Sequence, residues 1–308
     1  MTLPVRASDL DIALPALPLN REFTPRYAEV EEVAPGIRRV LARNPNPFTF
    51  HGTGTYIIGR GKVAIIDPGP LMAEHVEAVL AAVAGEHVTH ILITHTHGDH
   101  SPAAAPIKRA TGAPTYGYGP HGAGRLAEGV AVEEGGDRDF VPDVVVTDGD
   151  LITGASWQVE CVHTPGHTSN HLCFAFREQS ALFCGDHVMG WSTTVIVPPD
   201  GDMAEYFASL EKLRQRQDRI YYPTHGAPIE SPQAFVTALI AHRHARERQI
   251  EACIAAGVQE LSQIVRVIYS EVDPRLHPAA AMSVRAHLTH LINAGRLRQN
   301  GTRFLSGE

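Results

Sequence analysis

The sequence contains no apolar run of the roughly 20 residues that a transmembrane helix requires. Its N-terminus also lacks a basic segment followed by an apolar one, because Asp9, Asp11 and several prolines interrupt it. This pattern is unlike that of a secretory signal peptide. We therefore expect a cytoplasmic protein that has no membrane partner.

Cysteine is scarce, and no arrangement typical of a serine or cysteine nucleophile is evident. The four cysteines are widely separated, and three of them lie in predicted strands, which favours buried thiols over disulfides or metal ligands. They are Cys161, Cys173, Cys184 and Cys253.

The chain has fewer basic than acidic residues, and its formal net charge is −8. This balance weakly disfavours non-specific binding to nucleic acid. The charge is unevenly distributed along the chain. The residues from Ser231 onward include nine arginines and six acidic residues, so the first 230 residues are strongly acidic. The chain also lacks the basic patch interleaved with aromatic residues that proteins binding single strands usually carry.

The segment Thr94–His100 contains four metal-binding side chains within six residues, directly after an apolar run that predicts a short buried strand. Imidazole nitrogens and carboxylate oxygens at this density are ligands that zinc prefers. Because side chains alternate in direction along an extended chain, His95 and His97 can point the same way and share one metal. Asp99 and His100 follow a glycine turn and can reach a second metal.

Three further candidate ligands, His167, Asp186 and His225, occur downstream in similar settings. Each lies just past an apolar or β-prone run and next to glycine or proline. This pattern is typical of ligands on loops at the strand ends of one sheet edge, where a rigid scaffold positions reactive groups.

A His-x-His-x-Asp-His motif, followed by a lone His, a lone Asp and a lone His, resembles the metallo-β-lactamase superfamily. The resemblance implies an α+β fold, the αβ/βα sandwich of that superfamily, and two zinc ions per chain. A zinc-bound water has a pKa near 7, so the implied reaction is metal-assisted hydrolysis. Asp99 is the candidate catalytic carboxylate. By the resemblance, the first zinc is held by His95, His97 and His167, the second by Asp99, His100 and His225, and Asp186 bridges them.

The remaining periodicity predicts a catalytic domain over residues 1–230 and a winged-helix-like domain over residues 231–308. In the first domain, we expect strands over 36–42, 53–59, 62–67 and 91–94, a helix over 72–83, and a second helix opening at Ser101-Pro102. In the second domain, we expect helices over 231–256, 260–270 and 278–294, then a hairpin over 296–305 with a turn at Asn300-Gly301.

Most of the chain also resembles the beta-lactamase-like protein 2 group, through Asn46–Phe50, Gly52–Tyr56, Gly190–Val195 and the C-terminal helices. The characterised animal members of this group act as mitochondrial endoribonucleases on single-stranded RNA, and many bacterial relatives are simply called hydrolases. This chain departs from the group's motifs at three positions. Thr96 and Gly98 replace bulkier residues, and Thr224 replaces a glycine.

Several other residues carry milder expectations. Asp67 follows a strand and either hydrogen-bonds a ligand or belongs to a plain turn. His163 and His187 alternate away from neighbouring ligands, so we expect them to pack structurally, whereas His171 could contact substrate or pack. The run His242–Arg246 is expected on a solvated helix face, and residues 117–139 are expected to form a loop near the site.

Two substrate classes compete for the predicted zinc hydrolase. They are small acyl compounds (esters, thioesters, lactones or β-lactams) and the phosphodiesters of single-stranded RNA. An iron-dependent persulfide dioxygenase of the same fold is an alternative, but its usual site is mononuclear and this chain retains Asp99, His100 and His225 for a second metal. The C-terminal domain either binds nucleic acid or serves as a lid or homodimer contact.

Overall fold

The computed structural model describes residues 12–124, 135–272 and 274–307. The first sheet has seven strands in chain order, namely β1 (Val30–Ala34), β2 (Ile37–Leu41), β3 (Gly54–Arg60), β4 (Lys62–Ile66), β5 (His87–Leu92), β6 (Thr115–Gly117) and β7 (Val144–Val145). The second sheet has the order β12-β11-β10-β9-β8, formed by β8 (Leu151–Thr153), β9 (Gln158–His163), β10 (Leu172–Phe176), β11 (Ala181–Gly185) and β12 (Ile220–Pro223). The helices are α1 (Ala73–Ala82), α2 (Ala104–Thr111), α3 (Met203–Arg214), α4 (Pro232–Ala255), α5 (Leu261–Ile268) and α6 (His277–Asn293), and a hairpin of β13 (Leu297–Asn300) and β14 (Arg303–Ser306) follows them.

The two sheets pack face to face because their strands are apolar on both faces. In β3, Tyr56 and Ile58 point toward the second sheet, where they share one core with Phe174 and Phe183. The intervening Ile57 points the other way, into a core shared with α1 and α2. The outer face of the second sheet is covered in the same way by α3 and α4. The predicted αβ/βα sandwich is therefore confirmed.

Most element boundaries lie within two residues of the sequence prediction, but two differ. Strand β5 spans His87–Leu92 rather than 91–94, because it pairs with β4 from His87 onward. The second helix does not open at Ser101, because α2 begins at Ala104 and Ser101 makes no capping bond. Instead, the Ser101 hydroxyl donates to Asp137 Oδ2 at 2.6 Å, which holds the residues after the metal motif against a distant loop. The helix predicted over 231–256 is confirmed as α4, which has Pro232 in its first turn.

Parallel strand pairs bring several loops to one edge of the sandwich. Strand β4 pairs in parallel with β5, and β11 pairs in parallel with β12. Because parallel strands end on the same side of a sheet, the loops that follow them meet there. This edge contains all the candidate ligands.

The C-terminal helices have their own core and also contact the sandwich. Helices α5 and α6 and the hairpin pack around the last turns of α4. The first turns of α4 instead join the core beneath the second sheet, together with Ala286 of α6. The hairpin turn predicted at Asn300-Gly301 is confirmed by the pairing of Asn300 with Arg303. The helix α4 therefore belongs to both cores.

The expected solvated face at His242–Arg246 is wrong for its two arginines. Arg243 is 3% exposed and Arg246 is 6% exposed, since α4 is covered on both sides. Arg246 donates to Gln249 Oε1 at 2.7 Å and to the carbonyl of Ile268 at 3.1 Å, and its guanidinium lies 4.3 Å from the ring centre of Tyr269. The guanidinium of Arg246 is therefore bound by a side-chain amide, a backbone carbonyl and an aromatic ring instead of by solvent.

All four cysteines are buried and free, as predicted. In the part of the chain that the structure describes, no helix combines the length and hydropathy that a membrane crossing requires.

Candidate metal centre

The structure brings all seven predicted ligands together at one edge of the sandwich. Four of them, His95, His97, Asp99 and His100, lie in the loop after β5. The others follow three strands of the second sheet, with His167 between β9 and β10, Asp186 directly after β11 and His225 directly after β12. Their ligand atoms form three overlapping groups, each within 4.8 Å.

One group consists of three imidazoles. His95 Nε2 lies 3.0 Å from His97 Nδ1, and His167 Nε2 lies 3.1 Å from the same His97 nitrogen. The sequence prediction that His95 and His97 point the same way is therefore confirmed. Three converging nitrogens of this kind match a zinc site with three histidine ligands.

The other groups surround two carboxylates. Asp99 Oδ2 lies 3.1 Å from His225 Nε2 and 3.6 Å from His100 Nε2. Asp186 Oδ2 lies 3.4 Å from His225 Nε2, 3.5 Å from His100 Nε2 and 3.9 Å from His167 Nε2. Asp186 thus reaches imidazoles of both halves of the cluster, which is the position that a bridging carboxylate needs.

Hydrogen bonds on the far side of the rings orient His167 and His225. His167 Nδ1 donates to the carbonyl of Val195 at 2.7 Å, and His225 Nδ1 donates to the carbonyl of Gly52 at 3.0 Å. Because a carbonyl can only accept, Nδ1 carries a proton in both rings and Nε2 is the nitrogen that faces the cluster. Each ring is thereby oriented with Nε2 toward the other candidate ligands.

Asp67 orients the candidate ligands of the loop after β5 by accepting several hydrogen bonds from it. Its Oδ1 accepts from the backbone N–H of Thr94 at 2.8 Å. Its Oδ2 accepts from the hydroxyls of Thr94 (2.7 Å) and Thr224 (3.0 Å) and from His100 Nδ1 (2.9 Å). The expectation that Asp67 hydrogen-bonds a ligand is confirmed. Thr224, which departs from the resembling group, supplies one of these bonds.

The carboxylates and imidazoles shift each other's protonation strongly. Burial lowers the pKa of His225, but Asp186 and Asp99 raise it to about 10. Burial likewise opposes a charged His100, yet Asp99 and Asp186 raise its pKa well above the usual range. In the three-histidine group, burial and the neighbouring imidazoles lower the pKa of His95 far below the usual range, so it is neutral. The carboxylate half therefore attracts positive charge strongly, and the imidazole half offers lone pairs.

The donor set fits divalent metal ions. Three buried atoms of the cluster have no hydrogen-bond partner, namely His100 Nε2, His225 Nε2 and Asp186 Oδ1. An unpaired buried polar atom is costly, and a metal ion is one of its standard partners. Five imidazoles and two carboxylates are also ligands that suit zinc and related first-row metals.

A cavity of about 570 Å³ opens directly onto these ligands. It lies between the loop of residues 46–49, the loop of residues 189–197 and α6. Its size falls within the range of small-molecule sites. His97, Asp99, His167, Asp186 and His225 line its inner end.

Neighbouring histidines are structural, as predicted for two of them. His163 stacks on Tyr118 with the ring centres 4.0 Å apart, and the buried His187 packs on Tyr206 at 4.7 Å. His171 is fully buried and bonds Thr164 Oγ1 at 2.9 Å, so of its two readings the structure supports packing.

The loop predicted near the site is confirmed where the structure describes it. Gly135 lines the cavity, and the backbone N–H of Asp137 donates to the carbonyl of Thr96 at 2.7 Å. A Cβ at Gly98 would lie 3.0 Å from the carbonyl oxygen of Gly135, which accounts for the small residue there. Residues 125–134 of the predicted loop lie outside the described residues.

Three supporting residues were missed from the sequence. Thr53 Oγ1 donates to Asp99 Oδ2 at 3.4 Å, and Thr194 Oγ1 donates to the carbonyl of Asp186 at 2.7 Å. Arg243 on α4 donates in turn to the carbonyl of Thr194. All three lie in segments named from the sequence, but no local pattern indicates their contacts with the site.

Family models match both parts of the chain. The model for the metallo-beta-lactamase superfamily matches residues 49–225, which include every candidate ligand. The model for a beta-lactamase associated winged helix domain matches residues 261–304.

Individual relatives agree with these matches. A beta-lactamase-like protein 2 homolog of Drosophila melanogaster is 34% identical, over 87% of this chain and 92% of its own. An atrochrysone carboxyl ACP thioesterase of Cryptosporiopsis sp. is 30% identical over 73% of this chain, and the match spans 65% of the thioesterase. A solved beta-lactamase domain protein from Burkholderia ambifaria has the same fold, with a TM-score of 0.76, 20% identity and coverage of 94% of this chain and 97% of its own.

Proposed function

The chain belongs to the metallo-beta-lactamase superfamily, and we propose that it is a zinc-dependent hydrolase that uses a dinuclear site to cleave an acyl bond of a small substrate. The observation that carries the proposal is the position of the seven candidate ligands at the inner end of a cavity sized for a small molecule. The thioesterases among its relatives support acyl transfer to water as the reaction.

In this proposal His95, His97 and His167 hold one metal ion, while Asp99, His100 and His225 hold the other. Asp186 is the shared ligand, because its Oδ2 lies within 3.9 Å of imidazoles from both sets. Two bound divalent ions would acidify water and polarise the substrate carbonyl. The role of Asp67 is positioning, since it holds His100 by Nδ1 and leaves Nε2 to the cluster.

Asp99 is the candidate catalytic carboxylate. Its side chain is 25% exposed, whereas that of Asp186 is 11% exposed, and Asp99 faces the cavity. Burial would raise the pKa of Asp99, but the neighbouring His100 and His225 hold it well below the usual range. Its carboxylate is therefore ionised and can orient the water that adds to the acyl carbon by accepting a hydrogen bond from it. For a thioester, the carbon–sulfur bond then breaks, the thiolate leaves and takes up a proton, and the carboxylate product remains.

The assay that tests this proposal compares metal-stripped and zinc-reconstituted full-length protein. We expect zinc to restore hydrolysis of esters or thioesters, with about two zinc ions bound per chain. Single-stranded RNA, nitrocefin and a persulfide with oxygen are assayed in parallel. Cleavage of RNA alone would overturn the acyl assignment. One iron per chain with oxygen-dependent persulfide turnover would favour the dioxygenase alternative.

A further inference from the structure

The walls of the cavity beside the metal ligands come from three separate parts of the chain. Phe48 lies at the rim and is 49% exposed. Met189 and Trp191 come from the loop after β11, and Trp191 stacks on Phe50 with the ring centres 4.7 Å apart and the planes at 10°. Met282 comes from α6. This helix belongs, with α4, α5 and the hairpin, to the C-terminal part of the chain from residue 231 onward, called the C-terminal module below. The outer part of the cavity is therefore largely apolar.

Met282 is held in this wall by the packing of its helix. Ala286 lies one turn further along α6, on the same face, and is buried in the core beneath the second sheet. His290, another turn along, contacts the ring of Phe207 on α3 at 5.5 Å. The packing of α6 thus places Met282 in the wall of the cavity.

The loop of residues 189–197, which also lines the cavity, is held by α4 of the same module. Arg243 of α4 bonds the carbonyl of Thr194, and the carbonyl of the next residue, Val195, accepts from His167. Val195 and Val197 also line the cavity. Both the ligand geometry and the apolar wall therefore depend on the helices α4 and α6.

The wall of the cavity away from the metal ligands offers no cationic side chain among the described residues. None of the described lining residues is a lysine or an arginine, and the ionisable side chains that line the cavity are candidate ligands, namely His97, Asp99, His167, Asp186 and His225. A carboxylate or phosphate placed against Phe48, Trp191 and Met282 would lose water without gaining a cationic partner from these side chains. An uncharged hydrocarbon group would gain free energy there, because it buries apolar surface.

We propose, building on the hydrolase function above, that this cavity binds an uncharged aliphatic or aromatic acyl group and that Met282 determines the acyl length it prefers. The C-terminal module then acts as a specificity element for a small substrate. The acyl carbon lies at the metal ligands, and the chain of the acyl group extends between Phe48, Trp191 and Met282.

The test compares three pantetheine thioesters on zinc-loaded, full-length protein. Acetyl, hexanoyl and adipoyl thioesters have the same leaving group, and the last two differ only in a terminal carboxylate. We expect kcat/KM for hexanoyl to exceed that for acetyl by at least about tenfold, because even one methylene placed in an apolar pocket can contribute a factor of this order. It should also exceed that for adipoyl by about tenfold, because the terminal carboxylate loses water without a cationic partner in the described wall.

Three variants locate the effect on α6. Met282→Ala should lower kcat/KM for hexanoyl about fivefold and leave acetyl nearly unchanged, because only the longer chain reaches the wall. Met282→Lys should raise the adipoyl-to-hexanoyl ratio about tenfold by supplying the missing cation. Thr289→Ala, on the exposed side of the same helix, is the matched control and should behave as wild type.

A binding measurement separates specificity from catalysis. S-hexylpantetheine, which cannot be hydrolysed, should quench the fluorescence of Trp191 in wild type and bind more weakly to Met282→Ala. The chain has one other tryptophan, Trp157, which lies in the core between the sheets.

The outcomes distinguish the two proposals. If acetyl, hexanoyl and adipoyl are hydrolysed at similar rates and residue 282 has no influence, the acyl-pocket assignment is overturned while the hydrolase stands. If the zinc-loaded protein hydrolyses none of the thioesters and S-hexylpantetheine does not bind, the acyl-pocket assignment is overturned. The hydrolase proposal fails as well if esters are not hydrolysed either.

Discussion

Two buried carboxylates, Asp67 at the sandwich edge and Glu247 on α4, are each about 1% exposed and each accept several hydrogen bonds. Asp67 accepts from groups on the loops after β5 and β12 and orients His100 toward the metal ligands. Glu247 accepts a hydrogen bond from His290 Nδ1 at 2.6 Å and forms an ion pair with Arg296 at 3.1 Å. His287 Nδ1 lies 3.5 Å from the same carboxylate. The same chemical group thus serves a reactive centre in one region and joins helices in the other.

The partners decide which of these tasks a buried carboxylate performs. The imidazole bonded to Asp67 leaves its second nitrogen facing other candidate ligands, so the bond can influence chemistry. The partners of Glu247 belong to α6 and the start of β13, and none of them belongs to a candidate metal group among the described residues. We therefore expect changes at the sandwich edge to affect metal binding and changes at Glu247 to affect stability.

The largest effect should come from Asp186→Ala. This substitution removes the carboxylate that lies near both halves of the cluster, so we expect loss of at least one metal ion per chain. Activity should fall by more than the roughly 100-fold upper range for residues that only orient ligands. Elemental analysis and kcat/KM on a thioester measure both effects. His187→Phe is the matched control, because it preserves the contact with Tyr206 next to the same loop. Equal metal loss in both variants would contradict the assignment.

Asp67→Asn should have the next largest effect. An amide has one acceptor oxygen and cannot accept from the backbone of Thr94, from two hydroxyls and from His100 at once. We expect about 10- to 100-fold weaker metal binding, with the ligands themselves retained. Competition with a chromogenic chelator measures this affinity. Glu247→Gln should leave it unchanged, and a similar loss in both variants would remove the distinction between the two regions.

Glu247→Gln should instead lower the free energy of unfolding by about 2 kcal/mol, the range for a lost hydrogen bond to a charged group. The side chain of Arg296 is 41% exposed, so its guanidinium can be solvated when Glu247 is replaced. This solvation limits the loss of unfolding free energy. Urea unfolding followed by circular dichroism measures the change. An unchanged midpoint would show that Glu247 does not hold α4 to α6.

The sequence predicted the sandwich edge well because its information is local. The residues His95, His97, Asp99 and His100 lie within one short loop, and each remaining ligand follows a recognisable strand. The apolar alternation of β3 and the turn at Asn300-Gly301 are equally local, so those boundaries needed no knowledge of distant contacts.

The errors occur where distant segments meet. Arg243 was expected in solvent because a charged run on a helix is usually exposed, and nothing nearby in the sequence shows that α4 is covered on both sides. Ser101 resembles a helix cap, but a loop some 36 residues away supplies its partner, Asp137. Met282 reaches the cavity only through the packing of α6, which no local pattern could have predicted.

The smallest effect concerns the pH dependence of the helix contact. Burial would raise the pKa of Glu247, but bonds from His287 and His290 lower it to about 2, while burial lowers the pKa of His287 to about 4. Both groups bind protons less readily in the folded chain than in the unfolded one. Stability should therefore fall as the pH drops below about 6.5 through His287, and again below about 4.5 through Glu247.

The variant Glu247→Gln separates these two contributions. It removes the contribution of the carboxylate, and because Glu247 raises the pKa of His287, it also lowers that pKa further. The advantage of wild type over Glu247→Gln should hence stay constant from pH 8 to about 5 and shrink between about 4.5 and 2. Both proteins are compared without metal, so that acid release of ligands does not enter. A stability difference that grows on acidification would mean that Glu247 is protonated in the folded protein, and its partners would then need another explanation.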